Sequence, residues 1–155
     1  MKILILGASY GSLLSTKLLM AGHDVTLICR SKSAALINDD GTEVRIKLRD
    51  EGSHRTFRSH DLAGTLDAVT PADARPENYD MISLAMQEPQ YSEPQVRDLM
   101  QRIATSRKPC LSIMNMPPLP FLRRVDALAE APLEMCYDDA TVWADFEPSL
   151  MSLCS

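Results

Sequence analysis

The chain has 155 residues, 45% of them hydrophobic and 24% charged, with 16 Lys and Arg against 21 Asp and Glu for a net charge of −5. That length suits one domain with a packed core. The acidic balance argues against a nucleic-acid partner, which calls for a basic surface, and no apolar run approaches the roughly 18 residues of a membrane span.

The opening Met1-Lys2-Ile3-Leu4-Ile5-Leu6 has one basic residue and a short apolar stretch before Gly7, so it reads as a strand rather than a signal peptide. A continuous apolar run of this kind fits a parallel strand covered on both faces. Residues 7–11 form a turn. Leu13, Leu14, Lys17, Leu18 and Ala21 then recur at helical spacing, and Gly22 closes the helix. Residues 24–29 are a second, β-branched strand. Beyond Arg30, residues 33–38 read as a short helix and residues 44–48 as a strand. Residues 45–48 and 55–59 pair as a hairpin around a turn at Gly52. Residues 66–69 and 80–85 are further strands, residues 93–104 an amphipathic helix, and residues 109–114 a fifth strand of the parallel sheet. Residues 121–129 are expected to be helical and residues 133–137 to form a sixth strand. The chain closes on Leu150-Met151-Ser152-Leu153-Cys154-Ser155. This apolar ending fits either a cut chain or a segment docked on the sheet. The alternation of strands and helices implies an α/β fold: a Rossmann-type doubly wound, mostly parallel sheet with helices on both faces.

The chemistry concentrates in Gly7-Ala8-Ser9-Tyr10-Gly11-Ser12. In dinucleotide-binding folds one glycine permits a tight turn, a second lets backbone approach the pyrophosphate, and a third lets helix pack close to strand. The phosphates then meet the free N–H groups at the helix N-terminus. Read without a gap, Ser9 and Ser12 replace the second and third glycines. Read with the loop one residue short, Gly7 and Gly11 are the first and last, and the middle one is lost. The short reading is preferred, because Gly11-Ser12-Leu13-Leu14 opens the helix and the first basic residue after the second strand also arrives one position early. In either reading Ser9 or Tyr10 adds a side chain where bare backbone is usual. After the second strand, an acidic residue would bind the ribose 2′-hydroxyl of NAD. This sequence has Arg30-Ser31-Lys32 instead, two cations and a hydroxyl suited to the 2′-phosphate of NADP. Asp24 lies at the wrong end of the strand to contact ribose.

Lys2-Ile-Leu-Ile-Leu-Gly7, Gly11-Ser-Leu-Leu and Ala21-Gly-His-Asp-Val-Thr-Leu-Ile-Cys-Arg30 resemble the N-terminal domain of the ketopantoate reductase family. The match is close over residues 1–32 and looser to about residue 125, where it includes residues 81–85 and Ile113-Met-Asn-Met116. The resemblance implies an NADP-dependent enzyme reducing a 2-keto acid to a 2-hydroxy acid. It also implies a helical C-terminal domain facing this one across a cleft. Residues 1–155 would then be a single dinucleotide-binding domain, the N-terminal part of a longer protein, not active alone. Carried over, Gly7 and Gly11 would hold the pyrophosphate, Arg30 with Lys32 the 2′-phosphate, and Asn115 would lie near the nicotinamide and the substrate. The sequence departs from the family in two places. Met116-Pro117-Pro118 follows Asn115 where a Gly is usual, and Leu84-Ala85-Met86-Gln87 lacks the family's Lys. Ala85 and Met86 would still flank the cofactor. These departures keep open a second possibility, a non-catalytic NAD(P)-binding sensor or interaction domain with a degenerate site.

Other residues read as structural. His23 sits in a helix-to-strand turn, His54 and His60 in the polar hairpin, and Cys110 in a strand. Asp138, Asp139, Asp145 and Glu147 match no ordered calcium loop. Trp143 and Phe146 cover a sheet edge or meet another domain. Cys29, Cys110, Cys136 and Cys154 show no metal spacing and read as thiols in a reducing cytoplasm. Exposed sheet edges leave a homodimer open.

Overall fold

A computed structural model describes residues 1–47, 52–128 and 130–154. Six strands form one sheet in which every neighbouring pair is parallel. They are β1 (Lys2–Leu6), β2 (Asp24–Ile28), β5 (Leu66–Val69), β6 (Met81–Leu84), β7 (Cys110–Ser112) and β8 (Met151–Leu153). The order across the sheet is β5-β2-β1-β6-β7-β8. Counting sheet strands alone, this is the 3-2-1-4-5-6 order of dinucleotide-binding folds, and its direction reverses between β1 and β6. A separate antiparallel hairpin pairs β3 (Glu43–Lys47) with β4 (His54–Arg58). The expected hairpin is therefore present, with Leu48 outside the described residues.

Side-chain alternation along β1 explains the two cores. Ile3 and Ile5 point to one face, where they meet Val25, Leu27 and Ala68 with Leu19 of α1 (Ala8–Met20) and Ala34 of α2 (Ser31–Asp40). Leu4 and Leu6 point to the other, against Val96, Leu99, Met100 and Ile103 of α3 (Pro94–Ser106). The β1 residues Ile3 to Leu6 are at most 1% exposed. Each such side chain contributes about 1.5–3 kcal/mol by leaving water. The edge strand β5 is blunted by Asn38. Its amide donates to Ala68 O at 2.9 Å, and its Oδ1 accepts from Ala68 N at 2.8 Å, as a seventh strand would.

Several expectations need correction. The face of α1 on the sheet carries Gly11, Ser15, Thr16 and Leu19, while Leu13 and Lys17 are exposed. Small residues bury because α1 lies close to β1, and Leu14 and Leu18 pack beside them against the same core. The helix expected over residues 121–129 is only α4 (Leu119–Leu122), followed by a 3-10 turn at Asp126–Leu128, with Ala129 outside the described residues. Residues 133–137 are not a strand. Leu133–Cys136 is a 3-10 turn held from Arg123, which donates to Ala131 O at 3.0 Å and to the Glu134 carboxylate. The sixth strand is β8, so the apolar ending docks on the sheet. No helix among the described residues is long and apolar enough to cross a membrane.

Candidate functional site

Open parallel sheets bind ligands outside the carboxyl ends of their strands, at the point of reversal. A cleft of about 1000 Å³ opens at that point. Its floor is Gly7, Ala8, Ser9 and Tyr10, between β1 and α1. One wall is Ile28, Cys29, Arg30 and Ser33, from the end of β2 into α2, with Pro71 after β5. The opposite wall follows β6 and comprises Ala85, Met86, Gln87, Pro89, Gln90, Glu93, Pro94, Gln95 and Val96.

Two glycines set the floor. Gly7 has φ +103, and a Cβ there would lie 2.7 Å from Ala85 O and 2.8 Å from Met86 Cγ. Only a glycine lets the ends of β1 and β6 close on each other in this way. A Cβ on Gly11 would lie 2.6 Å from Ile5 Cγ2, so Gly11 is where α1 packs onto β1. The helix begins directly at Ala8. Its first intrahelical bond runs from Gly11 N to Gly7 O at 3.0 Å. The N–H groups of Ala8, Ser9 and Tyr10 precede that bond and have no helical acceptor. No acidic residue lies in this first turn, so the positive end of the helix dipole faces the cleft uncompensated. Ser12 does not line the cleft, because its hydroxyl donates back to Ser9 O at 2.9 Å.

Arg30 and Glu93 are the charged residues of the lining. Arg30 caps α2 and is exposed. Ser31 and Lys32 are the first residues of α2, exposed beside Arg30 but outside the lining. Burial raises the pKa of the Cys29 thiol above its ordinary value. Asn115 lies elsewhere. It is exposed after β7 and lines a small hollow with Tyr10, Ala85, Met86, Gln87, Ile113 and Met114.

The wall after β6 is held by its own hydrogen bonds. Ala85 N donates to Leu6 O at 2.9 Å, and Met86 N to the hydroxyl of buried Tyr91 at 3.1 Å. Gln87 N donates to Gln90 Oε1 at 2.9 Å. The polar stretch Gln87, Gln90, Glu93 and Gln95 was not singled out from the sequence. Its signal is positional, since it follows the strand beside the reversal, and that becomes readable only once the strand order is known.

Among the remaining candidates, Asp138, Asp139 and Trp143 have structural partners. Asp139 accepts from Arg97 and from the Thr141 hydroxyl, and Asp138 accepts from Ser92 Oγ at 2.7 Å. Trp143 is buried against Tyr91, Tyr137 and Phe146. No group of three metal-ligating side chains gathers among the described residues.

The family model described as ketopantoate reductase PanE/ApbA matches residues 3–115. Among solved structures, the chain is similar to 2-dehydropantoate 2-reductase from Methylococcus capsulatus, at 17% identity and a TM-score of 0.53, over 83% of this chain and 37% of that one. It is similar to a Ralstonia solanacearum MolK2 protein described as a ketopantoate reductase, at 19% identity and a TM-score of 0.50, over 79% of this chain and 34% of that one. A Bacillus subtilis protein described as a 2-dehydropantoate 2-reductase matches at 24% identity and a TM-score of 0.47, over 74% and 34% of the two chains. The chain thus spans about a third of the length of these structures. A search of the curated protein sequences finds no significant match.

Proposed function

This chain belongs to the ketopantoate reductase family, and we propose that it is the NADPH-binding part of an oxidoreductase that converts a 2-keto acid to a 2-hydroxy acid. One observation carries the proposal. The cleft at the sheet's reversal has the carboxylate-free N-terminus of α1 on its floor and Arg30 on its β2 wall. Those two features match the two anionic parts of NADPH. The N–H groups of Ala8, Ser9 and Tyr10, with the Ser9 hydroxyl, would hold the pyrophosphate. Gly7 lets Ala85 and Met86 close against that floor, since any Cβ there meets Ala85 O. Arg30 would fork onto the 2′-phosphate, with Ser31 and Lys32 beside it. Ala85 and Met86 would flank the dinucleotide where it crosses the reversal. Asn115 would hydrogen-bond the substrate carbonyl beyond that crossing. The bound dinucleotide supplies the reducing equivalents, and the chain's residues position and orient it. The free cysteines suit a reducing compartment such as the cytoplasm.

A second reading, a sensor that binds NADP without reducing anything, is favoured by the loop after β7. Pro117 and Pro118 offer no N–H to a ligand, and the Tyr137 hydroxyl donates to Pro117 O at 2.5 Å, fixing the loop. Both readings share the cofactor site. Calorimetric titration with NADPH and NADH tests it, with NADPH expected to bind more tightly. A flat response to millimolar NADPH would sink both readings. Ketopantoate-dependent oxidation of NADPH by a version carrying a helical C-terminal domain would decide for the enzyme.

A further inference from the structure

Gln87 Nε2 donates to the Tyr10 hydroxyl at 2.8 Å, joining the first turn of α1 to the wall after β6. Both side chains are exposed, Tyr10 at 55%. The large cleft and the Asn115 hollow share four lining residues: Tyr10, Ala85, Met86 and Gln87. Ala85 and Met86 are fixed through their backbone N–H groups to Leu6 O and the Tyr91 hydroxyl. The Tyr10–Gln87 pair is therefore the part of this boundary closed by a hydrogen bond that side-chain rotation alone can break. While it is closed, the hollow has room of only about 10 Å³, the least that admits a water.

A dinucleotide lies across the reversal, with one half on each side of it. A mononucleotide filling the β2 side needs no crossing. Resting on the reading of the cleft as an NADPH site, we propose that the Tyr10–Gln87 bond is a strap between the adenosine side and the Asn115 side, and that a dinucleotide binds only when it opens. The closed population then lowers the apparent affinity for NADPH but leaves the affinity for the adenosine half alone. Tyr10 and Gln87 thus set the preference between whole and half ligand.

The test is calorimetric titration of NADPH and adenosine 2′,5′-bisphosphate into the wild-type chain, Tyr10→Phe, Gln87→Ala and the double variant. Loss of one exposed neutral hydrogen bond corresponds to roughly a fivefold change in affinity. Each single variant is expected to tighten NADPH by about that factor relative to adenosine 2′,5′-bisphosphate. The double variant should do no more than either single one, since all three remove the same bond. Circular dichroism checks that the variants fold. Binding of both ligands with an unchanged or reduced preference for NADPH in the variants overturns the strap alone. Binding of neither ligand by the wild-type chain overturns the cleft reading and the strap with it.

Discussion

Residues 1–40 run through β1, α1, β2 and α2, whereas the described residues of 113–154 contain one four-residue helix, a series of 3-10 turns and one three-residue strand. The first region is held by backbone ladders and helices over a dry apolar face. The second is held by side chains that reach backbone carbonyls. Arg124 donates to Met151 O at 2.9 Å, Tyr137 to Pro117 O at 2.5 Å, and Arg123 to Ala131 O at 3.0 Å, all around the rings of Trp143, Tyr137 and Phe146. The difference explains why the candidate site draws its floor and Arg30 from the first region. A rigid strand–helix junction fixes N–H groups in space, and a string of turns does not. Tyr91 ties the second region to the cleft wall, packing on Trp143 at 5.4 Å and accepting from the backbone N–H of Met86.

The largest expected effect breaks the second region. Trp143→Ala should cost about 3–5 kcal/mol, read as a lower urea midpoint. It should also loosen the wall after β6, because Tyr91 loses its packing partner. If that wall keeps its amide protection in Trp143→Ala, the wall and the second region are independent and the link through Tyr91 is wrong. Next comes Gly7→Ala in the first region. Its Cβ would meet the Ala85 carbonyl at a φ that L residues rarely adopt, for a cost of about 2–3 kcal/mol. NADPH binding should be lost even under conditions where the variant folds. Retained binding would show that the floor is not tight.

A smaller effect follows from Arg124→Met, expected at about 1 kcal/mol. Because Arg124 braces β8 at Met151 O beside its ladder with β7, hydrogen exchange should quicken in Met151–Leu153 and not in β1. Uniform quickening would mean that the second region opens only with the first. Smallest is a pH effect. The Thr141 hydroxyl, then its backbone N–H and Arg97, lower the pKa of the Asp139 carboxyl. A carboxylate with a depressed folded-state pKa contributes stability above the ordinary carboxylate range and loses it as pH falls through the folded value. Asp139→Asn should therefore be less stable than wild type at neutral pH. The two urea midpoints should converge as pH falls through that lowered value. A gap that stays constant with pH would show that shape, not charge, is what Asp139 supplies.

Local patterns made the first region and its site floor legible. The run Ile3-Leu4-Ile5-Leu6 announced a strand buried on both faces. Gly7 and Gly11 marked a turn and a close helix–strand contact. Arg30 could be placed at the cleft because it follows a recognisable strand. The helical spacing of the leucines marked α1, but that Gly11 and Ser15 face the sheet beside Leu14 and Leu18 is not legible from large apolar residues. Residues 133–137 looked like a strand because nothing local shows that Arg123 reaches across to hold them as a turn. The wall from Gln87 to Val96 was invisible for a related reason. Its place at the cleft depends on the order of strands across the sheet, which no short segment encodes.

The central claim is that the α1 floor and Arg30 together make an NADPH site. The most direct test is the ratio of NADPH to NADH affinity in the wild-type chain and in Arg30→Ala. The account predicts a clear preference for NADPH in the wild type. That preference should collapse toward unity in the variant, with NADH affinity little changed. A wild-type chain that binds NADH as tightly as NADPH, or an Arg30→Ala variant that keeps the preference, would contradict it.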